Sequence, residues 1–137
     1  MNHILIVERD KVLANSLQNF FLSAGYSANG PDLPISAILK RMETHRVEVA
    51  LIDKTTLGES LKWFIDQLKT YHPEIVIIIM TNGLNKDQYE LAASEPSVCD
   101  VVVKPFGFSE ILMMVQRRFG REQRVETGER RNQRPLI

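Results

Sequence analysis

The sequence has a single cysteine, Cys99, so no internal disulfide can form, and a reducing, cytoplasmic setting is expected. It has no net charge: Lys plus Arg number 17 and Asp plus Glu number 17, which removes any global electrostatic case for nucleic acid or an anionic membrane. Long apolar runs are missing too. The longest, IVIIIM at 75–80, is far too short to span a bilayer. No basic segment precedes the first apolar run and no small-residue cleavage site follows it, so a signal peptide is not expected. There is no GxGxxG for a dinucleotide, no Ser/Thr/Gly-rich phosphate loop after the first apolar run, and no internal repeat. His3, His45 and His72 are scattered and form no metal-binding cluster. What remains is one ordinary globular domain: 137 residues, 44% hydrophobic and 25% charged, suffice for a single core.

What the chain does contain is alternation. Short β-branched runs, HILIV (3–7), a weak YSA (26–28), VEVALI (47–52), IVIIIM (75–80) and VCDVVV (98–103), read as strands buried on both faces. Between them apolar residues recur at helical spacing: Leu13, Leu17, Phe20, Phe21 and Ala24, then Ile35, Ile38, Leu39 and Met42. Leu61, Phe64, Ile65 and Leu68 make a third stripe, and Ile111, Leu112, Val115 and Phe119 the last. The segment 85–94 is the least regular helix candidate. Trp63 lies beside the third stripe rather than within it, and Cys99 is expected to open the fifth strand as a small buried hydrophobe. Gly25 stands where the first helix should stop, and Pro73 just before the fourth strand. Residues 1–120 are expected to form the domain. Residues 121–137, REQRVETGERRNQRPLI, read as a solvated tail or truncated linker, whose five arginines could touch an anionic partner.

Repeated βα units with right-handed crossovers place helices on both faces of a parallel sheet, an α/β doubly wound fold. Working sites in such sheets lie at the carboxyl ends of the strands. Those ends carry Glu8, Arg9 and Asp10 after the first strand, Asp53 after the third, Thr81 after the fourth and Lys104-Pro105 after the fifth. Singly each is ordinary, and Asp10 has the chemistry of a helix cap. Together, an acid, a hydroxyl and an amine on separate strand ends point to one shared crevice.

This set resembles the receiver domain of two-component response regulators over roughly residues 2–119. The resemblance implies a flavodoxin-like five-stranded parallel sheet in order 2-1-3-4-5. It implies that Asp53 accepts a phosphoryl group from a histidine kinase or phosphotransfer protein. Thr81 would be the switch hydroxyl, Lys104 the phosphoryl-binding amine and Lys104-Pro105 a cis bond. Mg²⁺ would be held by two acids after the first strand together with Asp53. Output would leave through the fourth helix, fifth strand and fifth helix, a face that could also support a homodimer. Such a domain signals and is not expected to be an enzyme.

The sequence departs from that pattern where the metal belongs. Glu8 matches the first acid, but Arg9 replaces the second and puts a positive charge beside the cation's place. At roughly 4 Å and an effective dielectric near 20, each unit pair is worth about 4 kcal/mol. Glu8 and Asp53 are therefore expected to bind Mg²⁺ weakly or not at all, with Arg9 filling the pocket and bonding to Asp53. Leu57 and Leu61 replace the usual loop proline and glycine, Asn82 follows Thr81 where a very small residue is usual, and Val101 stands in place of the aromatic switch residue. A pseudo-receiver, acting by phosphorylation-independent protein contact, is the alternative. ALIDKTT also resembles the nucleophile motif of haloacid-dehalogenase-like phosphatases. There the second acid would fall on Thr55, and neither a late acid pair nor a cap domain has room.

Overall fold

The computed structural model describes residues 3–29, 35–42, 46–82, 98 and 100–117. The weak helix candidate at 85–94, Cys99, Phe119 and the segment 121–137 lie outside these residues. β1 (His3–Val7) leads to α1 (Lys11–Ser23), and β2 (Ser27–Ala28) to α2 (Ile35–Met42). β3 (Val49–Asp53) runs directly into a single helical turn, α3 (Lys54–Leu57), and then into α4 (Leu61–Tyr71). β4 (Val76–Thr81), β5 (Asp100–Val103) and a last helix over 108–117 complete the described chain.

The five strands form one sheet in the order β2-β1-β3-β4-β5, with every neighbouring pair parallel, as expected. Alternate residues of the apolar runs point to opposite faces, and each face has its own core. Leu5, Val7, Ala50, Ile52, Ile77 and Ile79 pack with Ile38, Met42, Phe64, Ile65 and Leu68 of α2 and α4. Ile4, Ile6, Val49, Leu51, Ile78 and Met80 pack with Ala14, Leu17, Phe21, Ile111 and Val115 of α1 and the last helix. This double burial is why the strands read as continuous hydrophobic runs. Each fully buried aliphatic or aromatic side chain contributes about 1.5–3 kcal/mol.

Among the described side chains the helix stripes hold with one exchange. Ala14 is buried under α1, whereas Ala24 is its exposed C-cap, followed by Gly25 at φ +94°, a conformation costly for any residue with a Cβ. Trp63 stands out from α4 at 51% exposure, as its offset from the stripe predicts. The strand limits shift in a way that matters for the site. β3 extends through Asp53 and β4 through Thr81, so each is the last residue of its strand.

One buried residue was not legible as structural. β2 pairs with β1 only at His3–Ser27 and Ile4–Ala28. Beyond it the Asn29 side chain continues the ladder: its Oδ1 accepts from Ile6 N at 2.7 Å and its Nδ2 donates to Ile6 O at 2.8 Å. A carboxamide thus replaces a strand peptide and ends the edge strand early, which also limits pairing with foreign chains. Asn29→Ala leaves both Ile6 groups without these partners. It is expected to lower unfolding stability in urea by about 2–3 kcal/mol, whereas Trp63→Ala shifts it by less than about 0.5 kcal/mol.

Candidate functional site

The carboxyl ends of β1, β3, β4 and β5 emerge side by side. Val7 pairs with Ile52, Asp53 with Met80, and Thr81 with Val103. The polar residues that follow are thereby gathered at one edge of the sheet, and three of them, Glu8, Asp53 and Thr81, are buried.

Lys104 ties the group together. Its Nζ donates to Glu8 Oε2 at 2.5 Å and lies 3.0 Å from Asp53 Oδ1. Lys104 is 17% exposed at its side chain and each carboxylate 2%, so water contributes little to keeping these charges. The Asp53 Oδ1 contact is close enough for an ion pair but lacks hydrogen-bond alignment, and that oxygen is fully buried. The main chain adds to the clamp, with Lys104 N donating to Thr81 O at 2.7 Å. The peptide bond from Lys104 to Pro105 is cis, as expected.

Backbone and hydroxyl donors satisfy the other carboxylate oxygens. Asp10 N donates to Glu8 Oε1 at 3.0 Å. Asp53 Oδ2 accepts from Thr56 N at 2.8 Å and from Thr56 Oγ1 at 2.7 Å, making Asp53 the N-cap of α3. Asp10 caps α1 instead, its Oδ1 accepting from Val12 N at 3.0 Å and Leu13 N at 3.2 Å.

The expected bond between Arg9 and Asp53 is not formed. Arg9 is exposed, and the cation on Asp53 is Lys104. The physical reason is economy of charge: once one ammonium bridges the two buried carboxylates, drawing a guanidinium in from water would cost desolvation for little additional attraction. Only the Arg9 backbone joins the site, its N–H donating to Thr56 Oγ1 at 3.0 Å.

Sequence reasoning thus placed Glu8, Asp53, Thr81, Lys104 and Pro105 in one region, misassigned the Arg9 side chain, and missed Thr56. The signal for Thr56 was present: an N-cap aspartate three residues before a threonine brings its carboxylate to that residue's backbone N–H, beside the hydroxyl. Val101, in place of an aromatic, is half-buried and packs against the core on the α2–α4 side of the sheet.

An open parallel sheet in this order gathers an aspartate, a threonine and a lysine at its carboxyl edge, the arrangement that the receiver resemblance implies. The chain belongs to the response regulator receiver domain family of two-component systems, whose model matches residues 4–116. Solved structures agree on the fold. A CheY-like response regulator receiver domain protein from Methanospirillum hungatei JF-1 is 17% identical, with 90% of this chain and 98% of that one covered at a TM-score of 0.73. A response regulator from Burkholderia pseudomallei, solved with a phosphorylated aspartic acid, calcium ion and citrate, is 18% identical (94% and 75% covered, TM-score 0.70). A streptococcal redox sensor, described as evolved from two-component response regulators, is 17% identical (93% and 55% covered, TM-score 0.76). No curated protein matches the chain in sequence. Among the described residues no helix is long and apolar enough to cross a membrane.

Burial pulls the Lys104 pKa down, but the hydrogen bond to Glu8 and the negative charges of Asp53 and Glu8 outweigh it and leave it above the ordinary lysine value. A raised amine pKa means that its contribution to stability is complete below the unfolded value, near 10.4, and is lost only as pH rises through the folded value. Lys104→Met leaves two buried carboxylates without their cation and is expected to cost about 3 kcal/mol in chemical denaturation. The difference from wild type should hold from neutral pH upward and close only in strongly alkaline solution.

Proposed function

We propose that the chain is a receiver domain in which Asp53 is the phosphoryl-accepting residue, with weak dependence on, and weak binding of, Mg²⁺. The observation that carries this reading is the Asp53 carboxylate, buried at the end of β3 with Lys104 Nζ 3.0 Å from its Oδ1. In the reaction a carboxylate oxygen attacks phosphorus, and the bond to the donor's leaving group breaks with its electron pair departing on that group. Lys104 neutralises charge on the acceptor and on the arriving phosphoryl oxygens. Thr81, at the end of the adjacent strand, supplies a hydroxyl to a phosphoryl oxygen and relays occupancy toward β5 and the last helix. The donor is a histidine kinase or phosphotransfer protein, the partners with which this family interacts.

The acids do not suit a magnesium ion, which requires near-octahedral oxygen ligation. Both oxygens of Glu8 are engaged, by Asp10 N and Lys104, and Asp53 is held by Thr56 and Lys104. Asp10 is committed to its cap, and Arg9 stands where a second acid would serve. Among the described residues no set of three His, Cys, Asp or Glu side chains is grouped to hold a metal. No catalytic step is therefore assigned to a metal, and a pseudo-receiver that signals by contact alone is the limiting case of the same design.

Intact mass after treatment with acetyl phosphate, with and without Mg²⁺, tests the reading. Wild type is expected to gain a phosphoryl group slowly and with little response to Mg²⁺, and Asp53→Asn not at all. Arg9→Asp is expected to introduce Mg²⁺ dependence. Rapid, stoichiometric, Mg²⁺-dependent modification of wild type would refute the weakened-metal reading. Equal modification of Asp53→Asn would refute Asp53 as acceptor.

A further inference from the structure

We propose that Thr56 is a positioning residue for Asp53, whose hydroxyl restrains the carboxylate and slows its reaction with a phosphoryl donor. The inference rests on the reading of Asp53 as acceptor and adds a residue to that site. Thr56 follows the nucleophile by three residues and turns back onto it in the single turn of α3. Its hydroxyl has one proton and two lone pairs, and both kinds of site are used. The proton goes to Asp53 Oδ2 at 2.7 Å, and a lone pair accepts the Arg9 N–H at 3.0 Å. The Arg9 amide therefore fixes the direction in which the hydroxyl donates. It also joins the segment after β1 to the turn of α3.

The consequence falls on the carboxylate. Oδ2 receives two hydrogen bonds, from the Thr56 hydroxyl and the Thr56 N–H, which engage both of its in-plane lone pairs. Oδ1 is buried against Lys104. An oxygen that attacks phosphorus must offer a free and accessible lone pair: Oδ2 has none free in this arrangement, and Oδ1, which accepts no hydrogen bond, is closed off by its burial. The backbone bond from Thr56 N belongs to the helix cap and persists whatever the side chain. The hydroxyl bond belongs to the threonine alone, so the side chain at position 56 sets how much of the nucleophile is held back.

Thr56→Val removes the hydroxyl with little change of shape, Thr56→Ser keeps it, and Thr56→Ala removes it without a branched side chain that could disturb the turn. Acetyl phosphate modification of Asp53, followed by intact mass, is expected to be about tenfold faster in the Val and Ala variants than in wild type. The Ser variant should stay within about twofold of wild type. Hydrogen exchange of the Arg9 amide, read by NMR, should accelerate in Val and Ala and be restored in Ser. A merely structural role would not split Ser from Val in the reaction rate while melting temperatures stay alike. Equal or slower modification of both Val and Ala overturns the inference and leaves Asp53 as acceptor, provided wild type is modified. Absence of modification in wild type, Val and Ala alike overturns the inference and the acceptor reading together. Unchanged Arg9 exchange in both hydroxyl-free variants also overturns it, by removing the bond on which it stands.

Discussion

A single ammonium group, Lys104 Nζ, lies between two carboxylates contributed by the ends of β1 and β3, one at 2.5 Å and the other at 3.0 Å. Without it Glu8 and Asp53 would be two like charges, almost fully buried, at adjacent strand ends. The sheet order makes the arrangement possible, because β3 lies beside β1 and β4 carries β5 to within a lysine's length of both. The dependence also runs the other way. Buried carboxylates are tolerated at these strand ends because the lysine arrives there, and its own proton is held more tightly as a result.

One ammonium against two carboxylates leaves a negative charge, and the chain meets it with dipoles. The Asp10 N–H, the Thr56 N–H and the Thr56 hydroxyl all point at carboxylate oxygens. Oriented backbone groups of this kind act as fixed partial positive charge that needs no counterion. They also free Arg9 from any need to enter the pocket, which is consistent with its exposure. In the proposed function the same saturation accounts for both weak demand for Mg²⁺ and a restrained nucleophile.

The fold was legible because its determinants are repetitive. Continuous Val/Ile runs mark strands covered on both faces, and the stripes through Leu17–Phe21 and Phe64–Leu68 mark the helices that cover them. The strand-end residues were legible for a related reason: the sheet fixes where a strand's last residue must lie, so Asp53, Thr81 and Lys104 could be gathered from order alone. Side chains that choose among partners were not. Arg9 can reach inward or outward with equal ease on sequence grounds, and the decision depends on Lys104, which is far away in the chain. Thr56 and Asn29 escaped because a small polar residue after a strand usually signals only a turn, whereas here one holds a carboxylate and the other replaces a peptide in the ladder. The sequence alone singled out Arg9, Asn82 and Val101, but only the three-dimensional pairing shows that the Arg9 side chain stays outside the site.

The claim at the centre of this account is that the chain's own lysine and donors neutralise Glu8 and Asp53. A titration of ¹⁵N-labelled wild type with Mg²⁺, following the amides of residues 8–10, 53–56 and 104, tests it without any phosphoryl donor. The account predicts no saturable shift at physiological magnesium, with Lys104→Met free to show one. Saturable shifts of those amides in wild type at physiological magnesium, with Lys104 displaced from Glu8, would contradict it.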